Sequence, residues 1–269
     1  MKFVMDISSL SFEEIKKIIK DESLSEESIF EITELFKLDK RKNVQLLGEK
    51  LLRSLEKQKI EENRIRAMYD FDRNFGSFNY VAGVDEVGRG PFAGPIVAAA
   101  VILDLNNIKN KNLIAGIKDS KALSPGVREV LAEEIKQNAV AINIALINNK
   151  IIDARGIGWC NQEVFRKACN GLKIKPDLVL SDGYPIKNIQ LSNRYVIKGD
   201  TKSASIACAS IVAKVFRDSI MKEYALKYTE YGFEHNSGYG TESHIAAIKE
   251  YGITEIHRTS FLKNLRNYI

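Results

Sequence analysis

Two adjacent carboxylates, Asp85 and Glu86, interrupt an apolar run that starts at Tyr80 and has the composition of a buried strand. Burying a carboxylate is costly unless a cation or dense hydrogen bonding compensates its charge. A divalent metal at the strand end would supply that compensation. The segment Gly88-Arg89-Gly90 follows at once, and glycines let a backbone approach a ligand closely. These residues predict a metal-dependent enzyme that acts on a phosphorylated substrate.

Two further apolar runs end in a carboxylate, at Asp182 and at Asp200. Ligands bind at strand ends in α/β sheets, so four carboxylates from three strands can converge there. Such a set matches what paired Mg²⁺ or Mn²⁺ ions need for phosphodiester hydrolysis. Taken alone, Asp182 before Gly183 is also typical of a turn, and Asp200 before Thr201 is also typical of a helix N-cap.

Lysines and one tyrosine stand near the same strand ends in the chain. Lys121 follows Asp119-Ser120, and Lys202 lies two residues after Asp200. Each lysine is either a phosphate contact or a solvated surface residue. Tyr239 lies between two glycines, and is either exposed enough to stack on a sugar or base, or packed beneath a turn.

The composition limits the classes of site. Among 269 residues there are 3 cysteines and 3 histidines, and the net charge is +5. Few, distant cysteines fit neither a disulfide framework nor a zinc site, so a bound metal should be a hard, oxygen-liganded ion. We expect no membrane span, because no run of about 18 apolar residues occurs. The start, Met1–Asp6, has no apolar core of signal-peptide length, so we expect a cytoplasmic protein, with a monomer as the default. The sequence predicts core positions for Trp159, Cys160, Phe165 and Cys208, and structural or surface positions for His235, His244 and His257.

The first 79 residues have the pattern of a small helical module ending in a linker, Asn74–Ser77. A capping-box pattern, Ser11-Phe-Glu-Glu14, opens a helix to about Lys20. Apolar residues at three-and-four spacing predict two more helices, the third of them long and charged. Basic residues are in excess from Lys37 through Arg66, which we interpret as a solvated helix face in preference to a nucleic-acid contact.

Residues 80–269 have the pattern of an α/β domain with a mixed central sheet flanked by helices. The predicted strands are Val81–Val84, Ile96–Leu103, Ala139–Ile147, Asp177–Gly183 and Tyr195–Lys198. The predicted helices run from Ser124 to about Gln137, from Ile151 to Asn170, and from Thr201 to Tyr228, with a further helix capped by Thr241 or Ser243.

These motifs, in this order across residues 80–261, resemble those of bacterial ribonuclease HII. The matching segments are Val84–Pro95, Asp119–Lys121, Ser181–Gly183, Lys198–Asp200, Ala209–Asp218, Gly238–Thr241 and His257–Phe261. Residues 1–79 resemble, less specifically, a helical extension that some members carry, around Asp39-Lys-Arg-Lys-Asn-Val44.

The resemblance implies an RNase H-like fold and an endonuclease that cuts the RNA strand of RNA/DNA hybrids. It also implies incision of duplex DNA 5′ to a single embedded ribonucleotide, and hence primer removal or ribonucleotide repair. The family's four acidic residues carry over to Asp85, Glu86, Asp182 and Asp200. Its motif for the ribose 2′-hydroxyl carries over to Gly88-Arg89-Gly90, and its deoxyribose-packing tyrosine carries over to Tyr239.

Two departures from the family pattern affect the expected phosphate contacts. Asn236-Ser237 stands where members usually have a lysine before Gly-Tyr-Gly, and Thr259 replaces a usual basic residue. The competing interpretations are a ribonuclease HIII-like enzyme without junction activity, another metal-dependent nuclease of this fold, and a non-catalytic nucleic-acid-binding protein. The Gly88–Gly90 and Gly238–Gly240 motifs disfavour the first, and the retained carboxylates disfavour the last, because they would repel phosphates.

Overall fold

The computed structural model describes residues 9–21, 24–105 and 113–263. Contacts divide the chain into two compact units between Arg64 and Ile65. The helices of the N-terminal part are α1 (Phe12–Asp21), α2 (Glu26–Leu38) and α3 (Lys42–Arg73). Helix α3 runs through the division, so its last turns belong to the second unit. The predicted boundary at residues 79 and 80 remains a prediction.

The first unit follows the helical pattern of its sequence. The predicted capping box is present, because the Ser11 backbone N–H donates to Glu14 Oε2 at 2.8 Å. The Ser25 hydroxyl caps α2 by accepting from the Ser28 N–H. The side chains that pack inside this unit recur at helical spacing; they include Ile15, Ile32, Phe36 and Val44. The three predicted helices are therefore confirmed.

The second unit contains a five-stranded sheet with the order β3-β2-β1-β4-β5. Its strands are β1 (Val81–Val87), β2 (Ile96–Ile102), β3 (Ala141–Ile147), β4 (Leu178–Asp182) and β5 (Asn193–Val196). Strand β2 pairs antiparallel with β1 and β3, whereas β4 pairs parallel with β1 and β5. The predicted mixed sheet is confirmed.

Helices cover both faces of this sheet. The helices of this unit are α4 (Pro125–Asn138), α5 (Asn149–Arg155), α6 (Ile157–Asn170), α7 (Ala204–Lys227), α8 (Phe233–Asn236) and α9 (Glu242–Tyr251). Helices α4 and α7 pack on one face and α5 and α6 on the other, whereas α8 and α9 pack with α7 away from the sheet. Successive strand residues face opposite sides. Val81 and Leu180 therefore pack with α7 on one face, while Ala82 and Val84 pack with α6 on the other. No helix in the described ranges is long and apolar enough to cross a membrane.

The N-terminal end of α7 lies directly against β1. A Cβ atom added to Gly83 would come within 2.1 Å of the Ser205 carbonyl carbon and 2.2 Å of the Ile206 nitrogen. Only a residue without a side chain permits this backbone contact. The close approach fixes α7 beside the strand that carries Asp85 and Glu86.

Three sequence-based details were wrong. The single helix predicted over residues 151–170 is two helices, because Gly156 adopts a φ of 78° between α5 and α6. Trp159 is 40% exposed and lies outside the core, in contrast to the buried Cys160 and Phe165. The helix predicted from Thr201 begins at Ala204 and is capped by the Ser203 hydroxyl; Asp200 lies before it in a 3₁₀ turn, Gly199–Thr201, so the alternative role as its N-cap does not apply.

Candidate active site

The parallel pairing of β1 with β4 brings carboxylates of two strands together. Val84 pairs with Ser181, so Asp85 and Asp182, one residue further along each strand, are neighbours on the face covered by α7. Glu86 points to the opposite face because side chains alternate along a strand. The side chains of Asp85 and Glu86 therefore lie on opposite faces of the sheet near the end of β1.

Asp85 is buried, with 7% of its surface exposed. Burial raises its pKa well above the usual value, and the charges of Glu86 and Asp182 raise it further. A hydrogen bond with the Ser210 hydroxyl acts in the opposite direction. Ser210 Oγ also lies 3.0 Å from Ser120 Oγ, so both serines connect the carboxylate to the Asp119-Ser120-Lys121 segment.

Glu86 has a polar environment of its own on the other face. The Tyr184 hydroxyl donates to Glu86 Oε1 at 3.2 Å, and Arg89 Nη1 lies 3.5 Å from the same oxygen. The Arg89 guanidinium also stands over the Tyr184 ring, 5.5 Å from its centroid. Burial raises the pKa of Glu86, and Arg89 lowers it.

Asp182 and Asp200 meet at the ends of β4 and β5. The Gly199 N–H donates to Asp182 Oδ1 at 2.6 Å, which places the neighbouring Asp200 at the same edge. Burial raises the pKa of Asp200, and the charges of Asp182 and Asp119 add to the effect, whereas Lys121 lowers it. The structure thus brings Lys121 to this edge. In the described ranges, the exposed Lys202 forms no hydrogen bond or ion pair with the four carboxylates.

The donor set fits a hard divalent cation. All four side chains offer carboxylate oxygens, and the charge of Asp182 adds to burial in raising the pKa values of Asp85, Glu86 and Asp200, so a cation between them would relieve both repulsion and burial. Within residues 9–21, 24–105 and 113–263, no three acidic, histidine or cysteine side chains are arranged so that they could hold an ion as they stand. The fit therefore rests on ligand type and electrostatics.

Two buried arginines hold the loop that follows β1 through its carbonyl groups. Arg258, with 0% exposure, donates from Nη2 to Gly88 O at 2.7 Å, from Nη1 to Arg89 O at 3.1 Å and from Nε to Gly94 O at 2.9 Å. The fully buried Arg217 donates from Nε to Pro95 O at 2.9 Å. The amide N–H of Arg89 and of Gly90 points away from Arg258, because a trans peptide directs N–H opposite to the preceding carbonyl.

Tyr239 lies beside this loop. A Cβ atom at Gly90 would be 3.8 Å from Tyr239 Cε1, and the tyrosine is 41% exposed. The loop and the Gly-Tyr-Gly turn are joined by backbone hydrogen bonds, including Phe92 N–H to Gly238 O at 2.8 Å. Of the two alternatives for this tyrosine, the structure shows the exposed one.

The two departures from the family pattern have structural roles. Asn236 shapes the turn, because its Oδ1 accepts from the Gly238 N–H at 2.7 Å. Ser237 donates from its hydroxyl to Asp218 Oδ1 at 3.2 Å. Thr259 binds the Asp153 carboxylate: its N–H donates to Oδ2 at 2.9 Å and its hydroxyl donates to the same oxygen at 3.0 Å. None of these side chains contacts the four carboxylates.

Two family models match consecutive parts of the chain. The family model described as Ribonuclease HII matches residues 82–264, and the one described as Ribonuclease HII N-terminal domain matches residues 11–76. The chain belongs to the ribonuclease HII family. It is accordingly a type 2 ribonuclease H, an enzyme of the hydrolase class.

Individual members of the ribonuclease HII family agree over nearly the full length. The chain is 56% identical over 263 residues to ribonuclease HII of Clostridium perfringens, covering 97% of this chain and 96% of the relative. It is 56% identical over 271 residues to that of Clostridium beijerinckii, covering 98% and 99%. The crystal structure of ribonuclease H2 from Pyrococcus horikoshii superposes with a TM-score of 0.60 at 32% identity, covering 70% of this chain and 96% of that one.

Four residues of this site were missed in the sequence. They are Tyr184, Ser210, Arg217 and Arg258, whose partners lie far away along the chain. Ser210, Arg217 and Arg258 stand inside segments that match the ribonuclease HII pattern, and that was the available signal. Tyr184 lies two residues after Asp182, outside the matching segments, and no sequence signal marked it as a site residue.

Proposed function

We propose that this enzyme hydrolyses the RNA strand of RNA/DNA hybrids and also incises duplex DNA 5′ to a single embedded ribonucleotide. The observation that supports the proposal is the juxtaposition of two features. Four carboxylates gather at the ends of β1, β4 and β5, and an exposed backbone edge at Arg89 and Gly90 follows the first pair closely. One feature suits phosphodiester hydrolysis, and the other suits recognition of a sugar.

Asp85, Glu86, Asp182 and Asp200 would hold Mg²⁺ or Mn²⁺, with two ions bound during catalysis. When bound, such ions supply activation of a water and stabilisation of the departing 3′-oxygen, giving 5′-phosphate and 3′-hydroxyl ends. The chain's own contribution is to orient the carboxylates before the ions arrive. The Glu86 backbone N–H donates to Asp85 Oδ1 at 2.7 Å, the Tyr184 hydroxyl donates to Glu86, and the Gly199 N–H donates to Asp182.

The Gly88–Gly90 loop would recognise the ribose 2′-hydroxyl, the group that distinguishes RNA from DNA at one site. Arg258 binds the carbonyls of Gly88 and Arg89 on the inner side. The outward amide groups can then meet the hydroxyl without any side chain in the way. Tyr239, beside Gly90, would pack on the deoxyribose that follows the ribonucleotide.

Lysines would contribute phosphate contacts around this centre. Lys121 acts electrostatically on Asp200, so it stands close enough to the carboxylates to meet a phosphate bound there. Lys202 is exposed and would add a contact at the same end of the sheet. We also expect the enzyme to act as a monomer and in the cytoplasm, and both expectations remain predictions.

Cleavage of a labelled DNA duplex with one ribonucleotide tests the proposal. In Mg²⁺ or Mn²⁺ we expect one cut 5′ to the ribonucleotide, with no cut in EDTA or on an all-DNA duplex. Asp85→Asn should lower the rate at least a hundredfold, because it removes a charged ligand, while binding of the duplex changes less than threefold.

Two outcomes would contradict the proposal in different ways. An Asp85→Asn enzyme that cuts at a near-normal rate would refute the role of the carboxylates. Cutting confined to continuous hybrid would refute the recognition of a single ribonucleotide and favour the ribonuclease HIII-like alternative.

A further inference from the structure

Two buried histidines lie between the Gly-Tyr-Gly turn and the segment that leads to Arg258. His244 is 0% exposed and His257 is 2% exposed, and their Nε2 atoms are 3.0 Å apart. The rings of Tyr231 and Phe233 enclose them, with Phe233 at 5.3 Å from the His244 ring centroid. Among the described contacts, the pair touches none of the four carboxylates.

The groups at the two ends of the pair determine where its protons lie. The Thr254 backbone N–H can only donate, and it lies 2.8 Å from His257 Nδ1. The Tyr239 carbonyl can only accept, and it lies 2.9 Å from His244 Nδ1. His257 must therefore carry its proton on Nε2 and donate it to His244 Nε2, while His244 carries its proton on Nδ1. Both rings are neutral in this arrangement.

The chain of hydrogen bonds ends on the peptide of the tyrosine beside the ribose-recognising loop. Besides the contact from His244, the Tyr239 carbonyl accepts from the Thr241 N–H at 2.8 Å, and the Tyr239 N–H donates to the Asn236 carbonyl at 2.9 Å. The backbone of Tyr239 is thus held at both its N–H and its C=O, whereas the residue as a whole is 41% exposed and its ring lies next to Gly90. A fixed peptide with an exposed ring is the arrangement that a sugar-packing residue requires.

We propose that His244 and His257 are positioning residues, which hold Tyr239 in place for the sugar after the ribonucleotide through one directed series of hydrogen bonds. The inference rests on the proposed contact between Tyr239 and substrate. The tyrosine ring touches the substrate, and the histidines act only through its backbone.

A double-mutant cycle between His244 and Tyr239 tests the inference. His244→Phe keeps a ring of similar size but cannot donate to the Tyr239 carbonyl. We expect it to lower kcat/KM for the duplex with one ribonucleotide about tenfold, and to have no further effect when Tyr239→Ala is already present. His244→Asn, whose side-chain amide can donate from the position of Nδ1, should recover most of the loss.

Each outcome separates this inference from the function on which it rests. Full activity of Tyr239→Ala would contradict the contact between tyrosine and substrate, and with it the positioning role. Reduced activity of Tyr239→Ala combined with an additive loss from His244→Phe would contradict the positioning role alone. Failure of His244→Asn to recover activity, with an unfolding midpoint equal to that of the parent, would contradict it as well.

The proton positions give a readout that does not depend on activity. In ¹⁵N NMR spectra of the full chain, His244 should be protonated at Nδ1 and His257 at Nε2, in the absence of substrate and metal. The opposite tautomer at either ring, or a doubly protonated ring at neutral pH, would overturn the hydrogen-bond direction.

Discussion

Asp72, in the last turn of α3, is a fully buried carboxylate beside the N-terminus of α7. Its Oδ2 atom accepts from the Ser205 N–H at 2.8 Å, and its Oδ1 atom has no hydrogen-bond partner within the described residues. Burial disfavours the charged carboxylate, whereas a helix N-terminus favours it. Burial is the larger effect, and it raises the pKa of Asp72 to about 6.

The sign of the resulting pH dependence follows from this raised pKa. From pH 3.8, the ordinary value, up to about pH 6, the folded protein keeps a proton that the unfolded chain has released. Raising the pH through this window therefore lowers the free energy of unfolding. At about 1.4 kcal/mol per pH unit, the loss reaches about 3 kcal/mol above pH 6.

Asp72→Asn removes the titrating group and should abolish this loss. The difference in unfolding free energy between variant and parent should shift in favour of the variant by about 2 kcal/mol from about pH 4.5 to pH 7.5. Urea unfolding at several pH values measures this shift, and any constant effect of the amide cancels in it. Asp70→Asn makes the same chemical change at a half-exposed position of α3 and should stay within about 0.5 kcal/mol of the parent.

A difference that does not depend on pH would refute the assignment of a raised pKa to Asp72. A shift of the opposite sign, favouring the parent at high pH, would show that the N-terminus of α7 outweighs burial. Cleavage activity at neutral pH should change less than threefold, because Asp72 does not contact the four carboxylates.

Two further perturbations address the packing behind the site. Gly83→Ala should lower the free energy of unfolding by roughly 3 kcal/mol or more, because its Cβ would meet the α7 backbone at 2.1 Å. Urea unfolding measures this loss, and a loss below about 1 kcal/mol would contradict the close contact. Arg258→Lys keeps the charge, but an ammonium group cannot reach the carbonyls of Gly88, Arg89 and Gly94 together. We expect the free energy of unfolding to fall by about 2–4 kcal/mol. We also expect kcat/KM to fall more for the single-ribonucleotide duplex than for continuous hybrid. Equal falls for both substrates would contradict a specific role of Arg258 in the loop.

Local sequence signals were sufficient for the strands and for the carboxylates at their ends. Asp85 and Glu86 stand inside an apolar run, and their unusual position is visible without any knowledge of the fold. The α/β class followed from the alternation of elements, whereas the parallel pairing of β1 with β4, which brings Asp182 beside Asp85, was visible only in the structure.

The buried arginines could not be predicted because their partners are distant in the chain. Arg258 binds carbonyls 164 to 170 residues earlier, and no spacing pattern records such contacts. The break at Gly156 was missed for a different reason. Apolar periodicity continues through it, while the positive φ that separates α5 from α6 is a property of the backbone alone.

Three of the contacts of helix α7 are spread along its length. Ser205 meets Asp72, Ser210 meets Asp85, and Arg217 meets the carbonyls of Pro95 and Ser237. The first two are about 7.5 Å apart along the axis, and the last two about 10.5 Å. A helix neither stretches nor twists readily. Inserting one residue after Ser205 would therefore rotate Ser210 and Arg217 by about 100° around the helix axis relative to Ser205. The acidic centre and the Gly88–Gly90 loop therefore share one register, and changes in chain length near them can be tolerated only outside α7.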